Sequence, residues 1–328
     1  MKAVVITKPG GPEVLKLQEV EDPSPGSHEI LVRVHATALN RADLLQRMGR
    51  YPPPPGVRAD IPGLEFAGEV EGIGENVERF KPGDRVMGLL PGGGYAEKIV
   101  THERMAMPIP NNLSFEEAAS IPEVFMTAYD ALFPQLQLKL GERLLVHAIG
   151  SGVGIAALQL AKIAGAVVFG TAGSSEKLKK AAQLNLDLGI NYKTQDFEEI
   201  LLNETRNQGV EAILDVVGAS YWQKNLNCLA PKGRLILVGL LGGVNIPVDL
   251  SMILRKRLRI FGTVMRGRTL EEKMTLTQEF QKHVLPLFAV GKIKPVIDQI
   301  FPLDKAADAH AYMHANKNFG KIVLKVVG

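Results

Sequence analysis

Apolar and polar positions alternate with the two-residue period of β-strands over residues 1 to about 120. The clearest alternating runs lie at 3–6, 29–36, 66–73 and 85–90, and Pro- and Gly-rich breaks separate them. Prolines 52–55 predict an extended loop, because proline cannot supply a backbone N–H to a helix or a central strand. The first part of the chain is therefore predicted to be rich in short β-strands.

From about residue 121 the pattern changes to apolar strand-like runs that alternate with segments of helical period. The predicted strands of this middle part are 143–148, 166–171, 188–190, 211–216, 234–239 and 258–264. The predicted helices are 152–164, 175–183, 196–206 and 221–229. Such alternation predicts a doubly wound parallel sheet covered by helices. The tail adds predicted helices at 270–290 and 304–315 and predicted strands near 298–301 and 321–326.

The composition places this α/β chain among ordinary globular proteins. Its 328 residues are 46% hydrophobic and 22% charged, enough for two domains with substantial cores. No apolar run reaches the roughly 18 residues of a membrane helix, and the N-terminus does not resemble a secretory signal. Cys228 is the only cysteine, which excludes an intrachain disulfide. A cytoplasmic protein without a membrane segment is predicted.

A glycine-rich turn joins predicted strand 143–148 to predicted helix 152–164. Its sequence is Gly150-Ser151-Gly152-Val153-Gly154. Glycines allow close backbone approach, and the following helix N-terminus favours a pyrophosphate, so the turn predicts a dinucleotide site. The full G-x-G-x-x-G frame would need glycine where Ile149 and Ser151 stand, and an ordinary strand-to-helix turn remains the alternative. The next strand, 166–171, completes a βαβ unit and favours the dinucleotide.

The residues about 20 positions beyond this turn favour NADPH over NADH. NAD-preferring folds place an Asp or Glu there to accept the ribose 2′-hydroxyl. Here Gly173 and Ser174 occupy that position, with Lys177 one turn later. Glu176 lies nearby, at the predicted start of the next helix. A 2′-phosphate favours hydroxyls and cations, although a solvated helix face also explains the lysine.

One cluster of basic residues stands out against a net charge of only +3. It comprises Arg255, Lys256, Arg257 and Arg259. Single-stranded nucleic-acid sites usually place aromatic side chains among such cations, and this cluster has none. A solvated loop leading into strand 258–264 is the favoured interpretation, with nucleic-acid binding as the alternative.

Five segments carry a resemblance to a known family, and together they span nearly the whole chain. They are 38–47, 90–94, 121–123, 220–225 and 315–321. The chain resembles the zinc-free, zeta-crystallin-like quinone oxidoreductases of the medium-chain dehydrogenase/reductase superfamily. Within that group it is most similar to the tumour-suppressor-inducible NADPH quinone oxidoreductase branch. The resemblance implies a GroES-like, β-rich catalytic domain at 1–122 and 267–328 and a Rossmann NADPH-binding domain at 123–266.

The resemblance also implies roles for individual residues. Asn40 and Asp43 are expected to border the nicotinamide and the substrate, although helix capping explains both as well. The implied cofactor contacts are Thr127 at the nicotinamide, Ser174, Lys177 and Tyr192 at the 2′-phosphate, and Asn316 from the tail. For Thr127 the alternative is a hydroxyl bonded back to its own helix.

Further candidates follow predicted strand ends or the proline loop. Gly239, Leu240 and Leu241 are expected to meet the nicotinamide through backbone groups, and Val217 is expected near the ribose; ordinary turns remain the alternative. Tyr51 is a candidate hydrogen-bond donor to a quinone oxygen and equally a packing residue. His147 and Cys228 are expected to be structural.

No metal is predicted in this site. Where zinc-dependent members of the superfamily carry Cys, His and Cys ligands, the matching positions here are Asn40, Leu64 and Glu123. Zinc prefers four nitrogen, sulfur or carboxylate ligands, which this set does not supply.

These features together predict a metal-free NADPH quinone oxidoreductase. One alternative is an NADPH-dependent reductase of enone or enoyl-thioester double bonds, and a second is an NADPH-regulated RNA-binding or structural protein. The expected partner is a small quinone or activated alkene. A homodimer formed along strand 258–264 is predicted, with a tetramer as its alternative.

Overall fold

The computed structural model describes residues 1–326 and divides the chain into two compact units. The first unit comprises Met1–Met126 and the chain from Met265 onward, and the second unit is Thr127–Val264. Packing alone defines these units. The catalytic role predicted for 1–122 and 267–328 and the NADPH-binding role predicted for 123–266 therefore stay predictions.

Fifteen strands and eleven α-helices are present in the described part of the chain. The strands are β1 (Lys2–Ile6), β2 (Leu15–Glu19), β3 (Glu29–Ala38), β4 (Glu65–Ile73), β5 (Arg85–Leu89), β6 (Lys98–His102), β7 (Ala106–Pro108), β8 (Arg143–Val146), β9 (Val167–Ala172), β10 (Leu188–Asn191), β11 (Val210–Asp215), β12 (Leu229–Leu237), β13 (Arg259–Gly262), β14 (Ile297–Pro302) and β15 (Lys321–Lys325). The helices are α1 (Arg41–Arg47), α2 (Phe115–Ala119), α3 (Pro122–Asp130), α4 (Gly152–Ile163), α5 (Ser175–Ala182), α6 (Phe197–Glu204), α7 (Trp222–Cys228), α8 (Leu250–Lys256), α9 (Leu270–His283), α10 (Leu285–Ala289) and α11 (Ala306–His314).

The first unit is built on a seven-stranded sheet. Six strands follow the order β14-β15-β3-β4-β5-β7, and β6 pairs with β3 beside them. Along β3, Ile30, Val32 and Val34 are fully buried, because alternate residues of a strand face the same side. Tail strand β15 pairs antiparallel with β3, which brings Val323 opposite Ala38. The far C-terminal part of the chain therefore contributes to the same sheet as residues 29–38.

The second unit is a six-stranded parallel sheet with the order β10-β9-β8-β11-β12-β13. Numbered within the unit, this is the order 3-2-1-4-5-6 of the dinucleotide-binding Rossmann fold. The predicted doubly wound sheet is confirmed. In such a sheet the ligand binds outside the carboxyl ends of the strands, where the strand order reverses.

Two sequence predictions about helices were wrong. Residues 250–256 form helix α8, whereas the basic residues beginning at Arg255 were expected to lie in a loop. Asp249 caps α8, since its carboxylate accepts the Ser251 N–H at 2.8 Å. The single helix expected at 270–290 is two helices, and Pro286 lies in the first turn of the second. Proline is tolerated there because the first N–H groups of a helix have no intrahelical acceptor.

No helix among residues 1–326 is long and apolar enough to cross a membrane.

Candidate active site and cofactor site

The glycine-rich turn of the second unit lies between β8 and α4. Ala148 adopts a left-handed backbone conformation with φ of 51°, and its carbonyl accepts the Ser151 N–H at 2.8 Å. Ser151 is the N-cap of α4, and its hydroxyl accepts the Gly154 N–H at 3.0 Å. The N–H groups of Gly152 and Val153 come first in the helix and have no acceptor within it. They are available to an anion.

Gly154 is required by close packing between the helix and the turn. A Cβ atom at this position would lie 2.5 Å from the Ala148 carbonyl oxygen and 2.8 Å from the Ile149 Cα. Both atoms belong to the backbone and cannot move aside. Gly154 thus meets the packing requirement of the last glycine of the dinucleotide fingerprint, although Ile149 and Ser151 replace the other two.

The remaining candidates of the second unit follow the carboxyl ends of neighbouring parallel strands. They are Gly150 after β8, Gly173 and Ser174 after β9, Tyr192 after β10, Val217 after β11, and Gly239, Leu240 and Leu241 after β12. Lys177 lies one turn into α5, whose N-cap is Ser174. Because the carboxyl ends of parallel strands share one edge, the fold brings all of these positions to the same side of the sheet.

Thr127 lies in α3 and is 5% exposed. Its hydroxyl has no hydrogen-bond partner among the described residues, so the alternative interpretation of a bond back to its own helix is wrong. An unsatisfied buried polar group costs about 1–3 kcal/mol, a cost that a polar ligand can remove. The orphaned hydroxyl, the free helix N–H groups and the closely packed Gly154 all fit a dinucleotide.

A buried polar network supports the loop after β11. Asp215 accepts the N–H groups of Val217 at 2.6 Å and Gly218 at 3.1 Å, and its other oxygen accepts the Asn225 side-chain amide at 3.0 Å. Asn225 in turn contacts His147 Nε2 at 2.7 Å. Sequence analysis missed Asp215 and Asn225, although an Asp that ends an apolar strand was a usable signal.

His147 is a structural residue, as predicted. Its Nδ1 lies 3.0 Å from the hydroxyl of Thr171, so both ring nitrogens have partners. Burial lowers the pKa of His147, which favours a neutral ring. The ring therefore holds the strand ends together rather than acting as a general base.

In the first unit, Asn40 and Asp43 begin helix α1. The Asp43 carboxylate accepts the Asn40 N–H at 2.7 Å and the Gly63 N–H at 3.2 Å. The capping interpretation of these two residues is confirmed. Burial raises the pKa of Asp43 to about 6.

Hydrogen bonds continue from Asp43 to two residues that sequence analysis missed. Arg47 can only donate, so the 3.3 Å contact makes His310 Nδ1 an acceptor. His310 Nε2 then donates to the Tyr95 hydroxyl at 3.2 Å, and Tyr95 donates to Asp43 at 3.2 Å. Burial lowers the pKa of His310 to about 3, consistent with a neutral ring. This chain fixes the orientation of the Asp43 carboxylate.

A buried ion pair lies beside Asn40. The Lys321 ammonium is 2.7 Å from Glu65 Oε1, 2.7 Å from Asn40 Oδ1 and 2.8 Å from the Leu39 carbonyl. Lys321 and Glu65 are 4% and 0% exposed. A lysine cation surrounded by three oxygen acceptors thus occupies the position next to Asn40.

Glu123 brings a second carboxyl group close to that of Glu65. Its N–H donates to Glu65 Oε2 at 2.8 Å, while its own half-buried carboxyl makes no ion pair within residues 1–326. Burial, with repulsion from Glu65, raises the pKa of Glu123 to about 8. At neutral pH this side chain is therefore largely protonated and can donate a hydrogen bond or a proton. Sequence analysis noted Glu123 only as a replaced zinc ligand.

Tyr51 is held by Arg266. The guanidinium lies 5.0 Å from the centre of the Tyr51 ring and donates to the Tyr51 carbonyl at 2.9 Å. Its other bonds, to the Pro91 carbonyl and to Gln46 Oε1, are both 2.7 Å. The half-buried Tyr51 hydroxyl makes no hydrogen bond to another described residue, and burial raises its pKa. Tyr51 is a positioned phenol with an unused donor.

Asn316 follows α11 in the first unit. It has a left-handed backbone with φ of 54° and is exposed, and its side-chain oxygen accepts from Arg41 at 2.7 Å. Its expected cofactor contact, like the roles of the other site residues, stays a prediction.

Comparison with known proteins identifies the family. Residues 26–111 match the alcohol dehydrogenase GroES-like domain, and residues 152–288 match the zinc-binding dehydrogenase family. Quinone oxidoreductase of Rattus norvegicus is 35% identical over 328 residues, which cover 99% of this chain and 97% of that protein. The chain belongs to the quinone oxidoreductase family.

Solved structures of this family and its neighbours share the whole fold. The Escherichia coli quinone oxidoreductase complexed with NADPH has a TM-score of 0.90 and 31% identity, covering 99% of this chain and 100% of that one. The CurK enoyl reductase has a TM-score of 0.89 and 28% identity, covering 99% and 98%. The predicted combination of a GroES-like domain with a Rossmann domain is confirmed.

The family that matches residues 152–288 is named for zinc binding. The three positions that the resemblance assigns to zinc ligands lie outside this range and hold Asn40, Leu64 and Glu123. In this member of the family the Lys321 ammonium supplies a positive charge beside Asn40.

Proposed function

We propose that this protein is an NADPH-dependent, metal-free quinone oxidoreductase. The observation that carries the proposal is the carboxyl edge of the parallel sheet, where the glycine turn follows β8 and Ser174 follows β9, with Lys177 in the first turn of α5. The full-length similarity to rat quinone oxidoreductase supports it. NADPH, when bound, supplies the hydride that reduces the quinone.

The chain's own residues bind and orient the cofactor. The N–H groups of Gly152 and Val153 hold the pyrophosphate, since a helix N-terminus favours negative charge. Ser174, Lys177 and Tyr192 hold the 2′-phosphate, because a hydroxyl and a cation suit a phosphate better than an acidic residue would. The unpaired Thr127 hydroxyl offers a hydrogen bond to the nicotinamide end.

Residues of the first unit orient the quinone and supply a proton. Tyr51 donates a hydrogen bond to one quinone oxygen, supported by its fixed ring and its unused hydroxyl. Glu123 is protonated at neutral pH and donates a proton to the reduced quinone, then regains one from water. Asn40 and Asp43, held by the Lys321 and Tyr95 contacts, border this group.

Reduction of an activated carbon–carbon double bond is the second candidate. Two findings favour it, the similarity to the CurK enoyl reductase and the raised pKa of Glu123. A double-bond reductase needs a general acid more than a quinone reductase does, because a carbanion is a stronger base than a hydroquinone anion.

The second unit supports the proposed homodimer. Strand β13 is at the edge of its sheet, and an unpaired edge strand is a template for pairing. Large apolar side chains are exposed on both sides of β13 in the sequence. Those before the strand are Leu241, Val244, Leu250 and Leu254, and the one after it is Val264. Pairing of two β13 edges would cover such a surface; a tetramer would need a further interface.

We place this dimer in the cytoplasm, as the lack of disulfide chemistry in the sequence suggests.

Initial rates of nucleotide oxidation by purified, metal-stripped protein test the proposed function. An ortho-quinone is the acceptor, with NADPH and NADH in parallel. Fast turnover with NADPH and slow turnover with NADH is expected. Tight NADPH binding without quinone turnover, but with turnover of an enone, would replace the quinone assignment by the double-bond reductase.

A further inference from the structure

A charged cavity lies in the second unit, at the end of the sheet opposite the glycine turn. Its volume is about 580 Å³. Glu142 precedes β8 and Arg259 begins β13, while Arg234 lies within β12 opposite Arg259, so the cavity is at the amino ends of β8 and β13. The glycine turn follows the carboxyl end of β8. We call this cavity, lined by Lys139, Glu142, Lys232, Arg234, Arg257 and Arg259, the amino-edge pocket.

The amino-edge pocket has a large excess of positive charge. Arg234 is neutralised, because it donates to Glu142 at 2.9 and 2.5 Å and to the Leu136 carbonyl at 2.8 Å. The side chains of the other four cations make no ion pair or hydrogen bond within residues 1–326; these are Lys139, Lys232, Arg257 and Arg259. Four like charges around one cavity repel each other unless an anion lies between them.

Two of these cations occupy backbone conformations that favour glycine. Lys232 has φ of 65°, and Arg257, the C-cap of α8, has φ of 52°. A left-handed conformation costs a non-glycine residue about 1–2 kcal/mol, and glycine is the usual residue after a helix end. Long cationic side chains are nevertheless present at both positions, which favours a role for the charge itself.

The lining of the pocket also limits the ligand class. No aromatic side chain lines it, whereas single-stranded nucleic acids are usually held by stacking on aromatic rings. The volume suits a small molecule, and the guanidinium groups of Arg257 and Arg259 suit phosphate oxygens. We propose that the amino-edge pocket binds a small polyphosphate anion, at a site separate from that of the nicotinamide nucleotide.

The four residues of the basic cluster noted in the sequence have different roles. The Lys256 ammonium donates to three backbone carbonyls, those of Leu226, Asn227 and Leu229, at 2.7–2.9 Å. It therefore stabilises the end of α7. Arg255 is exposed and does not line the pocket. Only Arg257 and Arg259 of the cluster face the proposed ligand site.

Isothermal titration of NADPH-saturated protein with inorganic tripolyphosphate at 150 mM salt tests the proposal. NADPH fills the glycine turn, so any remaining binding site is a different one. One tripolyphosphate per chain is expected to bind. The Lys232→Gly/Arg257→Gly double variant is expected to bind about tenfold more weakly or worse, since it lacks two of the four free cations. Glycine suits both left-handed positions, so this variant is expected to fold at least as well as the parent.

Arg255→Ala is the matched control, because it removes a cation of the same cluster outside the pocket. It is expected to bind tripolyphosphate as the parent does. Absence of saturable binding, equal weakening in both variants, or displacement of tripolyphosphate by NADPH would each overturn the proposal. Binding of long RNA but not of tripolyphosphate would overturn it in favour of a nucleic-acid surface.

A parallel titration with ATP distinguishes the two sources of a phosphate chain. Tighter binding of ATP than of tripolyphosphate would assign the pocket to a nucleotide. Equal or weaker binding of ATP would assign it to an inorganic polyphosphate. Both results uphold a polyphosphate site, and neither depends on quinone turnover.

Discussion

Replacing Lys321 by methionine removes the cation of the buried ion pair beside Asn40. Glu65 is fully buried and would keep only two donors, the Asn40 side-chain amide at 2.7 Å and the Glu123 N–H at 2.8 Å. Removing one partner of a buried ion pair typically costs 3–5 kcal/mol, because the remaining charge is left uncompensated. At roughly 2–4 °C per kcal/mol for a unit of this size, the expected fall in Tm is about 6–20 °C.

The double variant Lys321→Met/Glu65→Gln is expected to recover most of this loss. A neutral amide at position 65 can accept the Glu123 N–H with its oxygen. Its NH2 group can donate to Asn40 Oδ1 once the Asn40 amide turns over, which loss of the Lys321 ammonium from that oxygen permits. Replacing a whole buried pair by neutral side chains of similar volume is often close to neutral in stability. The double variant should therefore be more stable than the sum of the two single changes predicts.

Differential scanning calorimetry of the parent, the two single variants and the double variant measures this coupling. Lys325→Met is the matched control, at the exposed end of the same strand and 3.8 Å from Glu116. It should cost no more than about 1 kcal/mol, as exposed pairs do. A cost for Lys321→Met as small as that for Lys325→Met, or simple addition of the effects of the two buried changes, would refute a coupled buried ion pair.

Three further predictions concern the proposed site. Lys177→Ala should raise the KM for NADPH at least about tenfold more than the KM for NADH, because a lost charge-assisted bond to phosphate affects only NADPH; equal changes in steady-state assays would remove the 2′-phosphate assignment. Because the folded-state pKa of Glu123 is raised from 4.5 to about 8, its stabilising contribution is complete below about pH 4.5 and is lost as the pH rises through 8. Urea unfolding should therefore find Glu123→Gln more stable than the parent at pH 9 but not at pH 4.5. If the free energy of unfolding of the two proteins varied with pH in the same way, the pKa of Glu123 would not be raised. Thr127→Val should stabilise the cofactor-free protein by about 1 kcal/mol and weaken NADPH binding, because it removes the orphaned hydroxyl; unchanged NADPH affinity by titration would separate Thr127 from the cofactor.

The second unit could be predicted largely from local sequence pattern. Its strands are short apolar runs and the glycine turn joins two of them, so the βαβ unit around residues 143–172 follows from neighbouring residues. The parallel sheet then places the strand ends together without further information. Helix α8 escaped prediction because its exposed apolar side chains and clustered cations gave no clear helical stripe.

The polar group of the first unit could not be predicted in this way. Lys321 and Glu65 are 256 positions apart, and Tyr95 and His310 are 215 positions apart. Only the pairing of β15 with β3 brings Lys321 to Asn40, and no local pattern encodes that pairing. The raised pKa of Glu123 has the same origin, because it depends on burial and on repulsion from Glu65.

Single-turnover mixing of metal-stripped protein with quinone and NADPH deuterated at the transferred position tests whether hydride passes from NADPH to the quinone without a metal. We expect complete oxidation of NADPH, at a rate that deuterium lowers relative to ordinary NADPH and that added zinc does not change. Tight binding of NADPH without its oxidation by the quinone, or oxidation only after zinc is added, would contradict it.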